Sequence, residues 1–170
     1  MGKPEVSADN MREVQRLARA AIHELRTLIF DLRSSEMQAR GLGVALQAYL
    51  DNVVMRSGLV VKREIDYPRR LPAAIEFEVY RIAQEVLTNV AEHAHASSVA
   101  VVLNEATTAQ GERRVRLEIA DNGAGFDVQR VYNGAIGLSS MAERAQQIGA
   151  RLTIESAPGY GTTVQVEVTP

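Results

Sequence analysis

A chain of 170 residues suits one ordinary domain with an appendage, and 46% hydrophobic against 24% charged residues is a globular balance rather than a disordered one. A net charge of −2 gives no electrostatic reason to expect direct nucleic-acid binding, and 5% aromatics with no Trp argue against a base-stacking platform. With no cysteine, disulfides, thiolate zinc sites and thiol nucleophiles are excluded together.

Residues 1–10 read as a disordered lead-in, too polar for a signal peptide. No apolar run reaches the ~18 residues of a membrane span, so a cytoplasmic setting is expected, with any anchor of a parent protein outside this chain. From Met11 the apolar residues Val14, Ala18, Ala21, Leu25, Leu28 and Leu32 recur in steps of three and four. That is the seam of a helix packing on other helices, and Leu17, Ile22 and Ile29 widen it toward a bundle. Residues 11–40 are therefore expected to hold a helix that packs in a bundle, and 41–170 a separate globular domain.

In that domain, 43–56 reads as an amphipathic helix stopped near Gly58, and 59–65 as a strand. A turn between Pro68 and Pro72 leads to a long helix from about Ala73 to Ala94, with Ile75, Val79, Ile82, Ala83, Val86 and Val90 on one face. Strands are expected at 98–106 and 114–121, a glycine-rich loop at 122–137, and a helix from Leu138 to about Ile148 capped by Gly149. Strands at 151–156 and 162–169 close the chain as a hairpin. Neighbouring strands joined by short turns imply an α+β, two-layer sandwich, a mixed sheet covered by helices on one face.

Three clusters carry possible chemistry. Glu85, Asn89 and His93 stand at i, i+4 and i+8 on the long helix, forming one polar ridge. Such a ridge is either a solvated stripe or a row of ligands suited to magnesium and phosphate. Asp121-Asn-Gly-Ala-Gly-Phe126 follows a strand end, where Gly123 and Gly125 allow close backbone approach; taken alone it is also an ordinary turn. It is neither a Walker loop nor a GxGxxG fingerprint. Gly137-Leu138 at a helix start offers backbone N–H groups to an anion, and Gly159-Tyr-Gly-Thr162-Thr163 follows.

In this order the clusters resemble the GHKL ATPase superfamily, and within it the histidine kinases whose regulators carry a NarL-like DNA-binding domain. QEVLTNVAEHA is similar to the N box of that family, DNGAGF to its first glycine box, IGLSSMAERA to its second and GYGTTVQVEV to its last. The resemblance runs from about Val14 to Pro170. It implies a Bergerat-type ATP pocket in which Asp121 accepts a hydrogen bond from the adenine amine and Thr162 sits beside it. It further implies that Asn89 helps coordinate Mg²⁺, that His93 lies near the phosphates and that Glu85 is a base or polarising group. Gly123 and Gly125 would hinge a lid over about Phe126–Ile136, and Gly137 and Leu138 would offer N–H groups to the phosphates. One departure stands out: Glu92 occupies a position where Lys is often found, removing a positive charge from the phosphate side.

His23-Glu-Leu-Arg-Thr-Leu28 is similar to the phosphoacceptor box of another histidine kinase subfamily, but Leu28 replaces its Pro and continues the seam. A phosphoacceptor helix must be followed by a full partner helix, and at ~1.5 Å per residue the 43–56 segment is only roughly 20 Å long. The resemblance thus implies that residues 11–40 are the second helix of a dimerisation and phosphotransfer hairpin, with the acceptor histidine upstream of these residues on the same kinase acting as a homodimer, and relay to a NarL-like response regulator. Two competing expectations are an anti-sigma-factor-like serine kinase, disfavoured by the seam, and a degenerate module that binds ATP without transfer, disfavoured by Asn89, Asp121 and Thr162.

Overall fold

Strict alternation builds the sheet. Val99, Val101 and Leu103, then Val115, Leu117 and Ile119, then Val164, Val166 and Val168 are all buried, with half-buried residues between them. A period of two puts each triad on one face. The computed structural model describes residues 40–108, 111–128 and 136–170. The expectations for the lead-in, for the seam helix up to residue 39 with His23, and for most of the lid lie outside the described residues.

Five strands form one sheet in the order β1-β2-β3-β5-β4: β1 (Val60–Asp66), β2 (Ser98–Thr107), β3 (Arg113–Asp121), β4 (Arg151–Ser156) and β5 (Thr162–Val168). β1 is parallel to β2 and the other neighbours are antiparallel. The sheet is mixed, as expected. Registers such as Val101↔Ile119, Ile119↔Val164 and Leu117↔Val166 line the buried residues up in rows across the strands.

Helices cover that one apolar face. Helix α1, residues 40–57, contributes Leu42, Leu46, Leu50 and Val53 to the core. Their spacing is one stripe of a 3.6-residue period. Left-handed Gly58 (φ 69°), whose N–H bonds to the Val54 carbonyl, ends it. Helix α2 (Ala73–Glu92) starts after Pro72, which breaks the strand pattern and pre-sets the entry. It buries Val79, Ile82, Ala83, Val86, Leu87 and Val90. Helix α3 (Ile136–Gln147) buries Leu138, Met141 and Ala145. It starts two residues before the expected Leu138, so Gly137 lies inside its first turn. Its end is a Schellman arrangement, with Ala150 N–H to the Ala145 carbonyl, Gly149 N–H to that of Gln146, and Gly149 at φ 64°.

Among the described residues Glu76 is the one charged residue within the core, and periodicity did not mark it. Its carboxylate accepts from the Tyr67 hydroxyl at 2.8 Å and pairs with Arg70 at 2.7 Å. Burial, then the bond to Glu76, pushes the Tyr67 phenol well above its ordinary value. The network fastens the β1–α2 connection at the end of α2 opposite to the polar ridge. It fixes where α2 begins, and so where its far half lies against the sheet.

Candidate functional site

Where the apolar rows of the sheet end, polar residues take over. Asp121 closes the core-facing row of β3 and Thr162 that of β5, and the two are register partners. Facing them is the second half of α2, whose Glu85, Asn89 and His93 project on one side. Between lies a cavity of about 480 Å³, lined by those five residues together with Gly125, Gly137, Leu138 and an apolar floor. Eight of the nine residues singled out from sequence therefore line one cavity. Gly123 does not line it, yet its N–H donates to Asp121 Oδ1 at 2.7 Å and holds that carboxylate in place.

Burial pushes the Asp121 carboxyl above its ordinary value, opposed by the backbone N–H groups of Gly123 and Thr162, which favour the charged form. A half-buried carboxylate with two donors already on it keeps acceptor capacity for a third. It is suited to receive an N–H from a ligand rather than to bind metal alone.

The glycines are explained by close packing. A Cβ on Gly123 would stand 2.2 Å from the Ala94 carbonyl oxygen, and one on Gly125 (φ 60°) 2.0 Å from that of Ala157. The intervening Ala124 N–H bonds to Ala94 at 2.7 Å, and the Ala124 carbonyl accepts from Gly159 at 2.6 Å. The segment 123–126 is thus clamped between the α2 exit and the β4–β5 turn. A hinge role for these glycines concerns chain that lies beyond the described residues. Gly137 packs differently, since a Cβ there would meet Glu85 Oε1 at 2.5 Å. The first turn of α3 lies directly against the Glu85 carboxylate. Arg144 on α3 pairs with Glu78 on α2 at 2.7 Å and holds the two helices in that relation.

His93 lines the cavity but its side chain is 72% exposed, 4.0 Å from Glu92. Glu92 itself is exposed and does not line the cavity. His95 is exposed with φ 52°, at the turn that leaves α2, in keeping with an ordinary surface role. Among the described residues the lining holds two carboxylates and no Lys or Arg.

Three features were missed from sequence. The floor of Val86, Val90, Phe126, Met141, Ile154 and Val164 comes from four elements and the loop after β3. Val86 and Val90 carried a signal as part of the apolar stripe of α2, and Phe126 as the end of the glycine-rich run; nothing marked Met141, Ile154 or Val164 as floor. Asn122 staples the α2–β2 connection, its Oδ1 accepting from Ser97 and Ser98 N–H at 3.0 and 2.9 Å. Its place in the glycine-rich run was the only hint. Ser156 bonds to Phe126 N–H, to the Gly161 carbonyl and to Thr162, a role no motif announced.

Comparison with known proteins agrees with this geometry. The sequence profile described as "Histidine kinase-, DNA gyrase B-, and HSP90-like ATPase" matches residues 74–170. Sensor histidine kinase LiaS of Bacillus subtilis is 33% identical over 158 residues, covering 93% of this chain and 42% of that protein. Signal transduction histidine-protein kinase/phosphatase DegS of Brevibacillus brevis is 31% identical over 159 residues, covering 93% and 40%. This chain thus spans about two fifths of the length of those relatives. The histidine kinase domain of the blue-light activated histidine kinase of Erythrobacter litoralis superposes with a TM-score of 0.63 at 22% identity, over 79% of this chain and 68% of that one, which shows a shared fold.

Proposed function

We propose that this chain, which belongs to the histidine kinase-, DNA gyrase B-, and HSP90-like ATPase family, is the ATP-binding catalytic part of a two-component sensor histidine kinase. It would donate the γ-phosphoryl group of ATP to a histidine other than His23, on a helix pairing with residues 11–40. Relay to the aspartate of a NarL-like response regulator would follow, in the cytoplasm, from a homodimer of the whole kinase. The observation that carries the reading is the single cavity lined at one end by Asp121 and Thr162 and along one wall by Glu85, Asn89 and His93.

In this reading the apolar floor receives the adenine ring, and the Asp121 carboxylate accepts from its exocyclic amine. The N–H groups at the start of α3 face the phosphates, reinforced by the helix dipole. Glu85, pressed against Gly137, is placed to hold a proton or polarise the incoming nucleophile. Phosphoryl transfer asks mainly for such positioning and charge stabilisation.

The donor set fits magnesium. Glu85 and Asn89 offer hard oxygen atoms one turn apart, and among the described residues no cluster of three or more metal-binding side chains would cage an ion. Magnesium prefers one or two protein oxygens shared with phosphate. The described lining, with two carboxylates and no Lys or Arg, would also repel a polyphosphate left unneutralised. Bound there, the ion would supply that neutralisation, with Asn89 as its protein ligand.

Calorimetry with ADP, with and without Mg²⁺, tests the site. Asn89→Ala should blunt the metal dependence, and an unchanged response to Mg²⁺ would remove Asn89 as the ligand. Labelled ATP tests the acceptor: acid-labile, alkali-stable label that appears on the wild type and vanishes in His23→Gln would show that His23 is the acceptor after all.

A further inference from the structure

The core-facing row at the cavity end of the sheet does not stop at Thr162. It continues to Ser156 on β4, so that Asp121, Thr162 and Ser156 face one another in register across three adjacent strands. Ser156 is half-buried and its hydroxyl is fully engaged. Its Oγ accepts the Phe126 N–H at 2.9 Å, donates to the Gly161 carbonyl at 2.9 Å and lies 3.0 Å from Thr162 Oγ1.

A serine hydroxyl carries one proton. The Gly161 carbonyl can only accept, so that proton is committed to it. The contact between the two hydroxyls is then one in which Thr162 donates. With its proton directed at Ser156, Thr162 turns lone pairs rather than a donor toward the cavity it lines.

We propose that Ser156 is a positioning residue for base selection, holding Thr162 as an acceptor beside the Asp121 carboxylate. The inference rests on the adenine reading above and deepens it. Two neighbouring acceptors match the exocyclic amine of adenine, which has two N–H donors. They oppose the carbonyl oxygen that guanine carries at the same place, lone pair against lone pair. Without Ser156 the Thr162 hydroxyl is free to rotate and donate, and the cavity loses one of its two reasons to reject guanine. The same Ser156 oxygen holds Phe126 N–H, so base selection and the root of the loop after β3 share one side chain.

The test is the affinity of the full chain for ADP and for GDP, by calorimetry, in wild type, Ser156→Ala, Thr162→Val and the double variant. The readout is the ratio of the two affinities, because a merely structural loss weakens both alike. Ser156→Ala should narrow the preference for ADP by about three- to tenfold, the worth of one neutral hydrogen bond. In the Thr162→Val background the same substitution should leave the ratio unchanged. Ser156→Cys, which fills the space with a weak donor and acceptor, should shift the ratio in the same direction and serves if the alanine variant does not fold. A ratio unmoved by both Ser156 variants overturns the inference, and so does an equal narrowing in the Thr162→Val background. A wild type without preference for ADP overturns the adenine reading and the inference together. A preference that Asp121→Asn abolishes but Ser156→Ala leaves intact overturns the inference alone.

Discussion

Asp121 is held in a place that suits a ligand better than it suits the fold. Its carboxyl titrates above the ordinary aspartate value because burial disfavours the charge more than the Gly123 and Thr162 N–H groups restore it. A group with a raised folded value binds its proton more tightly folded than unfolded. Its ionisation therefore lowers stability as pH rises from the unfolded value, about 3.9, through the raised one, and the deficit persists above that. Asp121→Asn should accordingly raise the melting temperature of the nucleotide-free chain at pH 7. The same variant should lose about 1.5–3 kcal/mol of ADP binding, the value of a charged hydrogen bond. In the wild type, ADP affinity should climb as pH rises through the raised value and then level off. A variant that melts lower yet binds ADP normally would contradict both halves of the argument.

At the scale of elements, position decides what a left-handed glycine is for. Gly125 and Gly149 have nearly the same dihedral, φ 60° and 64°, but a Cβ on Gly125 would strike the Ala157 carbonyl while one on Gly149 would meet nothing within 4 Å. Gly149→Ala should cost about 1–2 kcal/mol, the backbone strain alone. Gly125→Ala adds a collision between two clamped backbones and should cost roughly 3 kcal/mol or more. Chemical denaturation compares them directly, and equal losses would mean the clamp at 123–126 gives way easily. The start of α2 offers a second asymmetry. Arg70→Met removes the cation paired with the fully buried Glu76 carboxylate, at about 3 kcal/mol or more, whereas Glu76→Gln keeps an acceptor for the Tyr67 hydroxyl and leaves no buried charge uncompensated, so it should cost less. The reverse ranking in urea unfolding would show that Arg70 is not the partner that makes Glu76 tolerable.

For the molecule as a whole, the compact unit runs from Arg40 to Pro170, and the cavity lining falls between Glu85 and Val164. A fragment of residues 40–170 should therefore bind ADP as the whole chain does. A fragment beginning at residue 56 removes Leu42, Leu46, Leu50 and Val53 from the core and should fail to fold. Retained folding in the shorter fragment, by circular dichroism, would show α1 to be peripheral.

Much of this was legible beforehand because it is written in short periods. Alternation in RVRLEIAD and TTVQVEV set strand faces, and the expected strand ends fall within a residue of those observed. The ridge Glu85, Asn89, His93 and the run Asp121–Phe126 were visible because polar and glycine residues interrupted apolar patterns at fixed spacing. Sequence could not order the strands, since β3 pairs with β5 across the intervening α3 and β4. It also gave no sign that Glu76 would be buried, because its tolerance depends on Tyr67 and Arg70 arriving from another segment. Ser156 shows the limit most clearly. As one polar residue at a strand end it looks like any other, and its meaning comes from register, which sets its hydroxyl between the Gly161 carbonyl and the Thr162 hydroxyl. Local chemistry named most of the residues that line the cavity walls. Only the pairing of three strands could say which way their hydrogen bonds run.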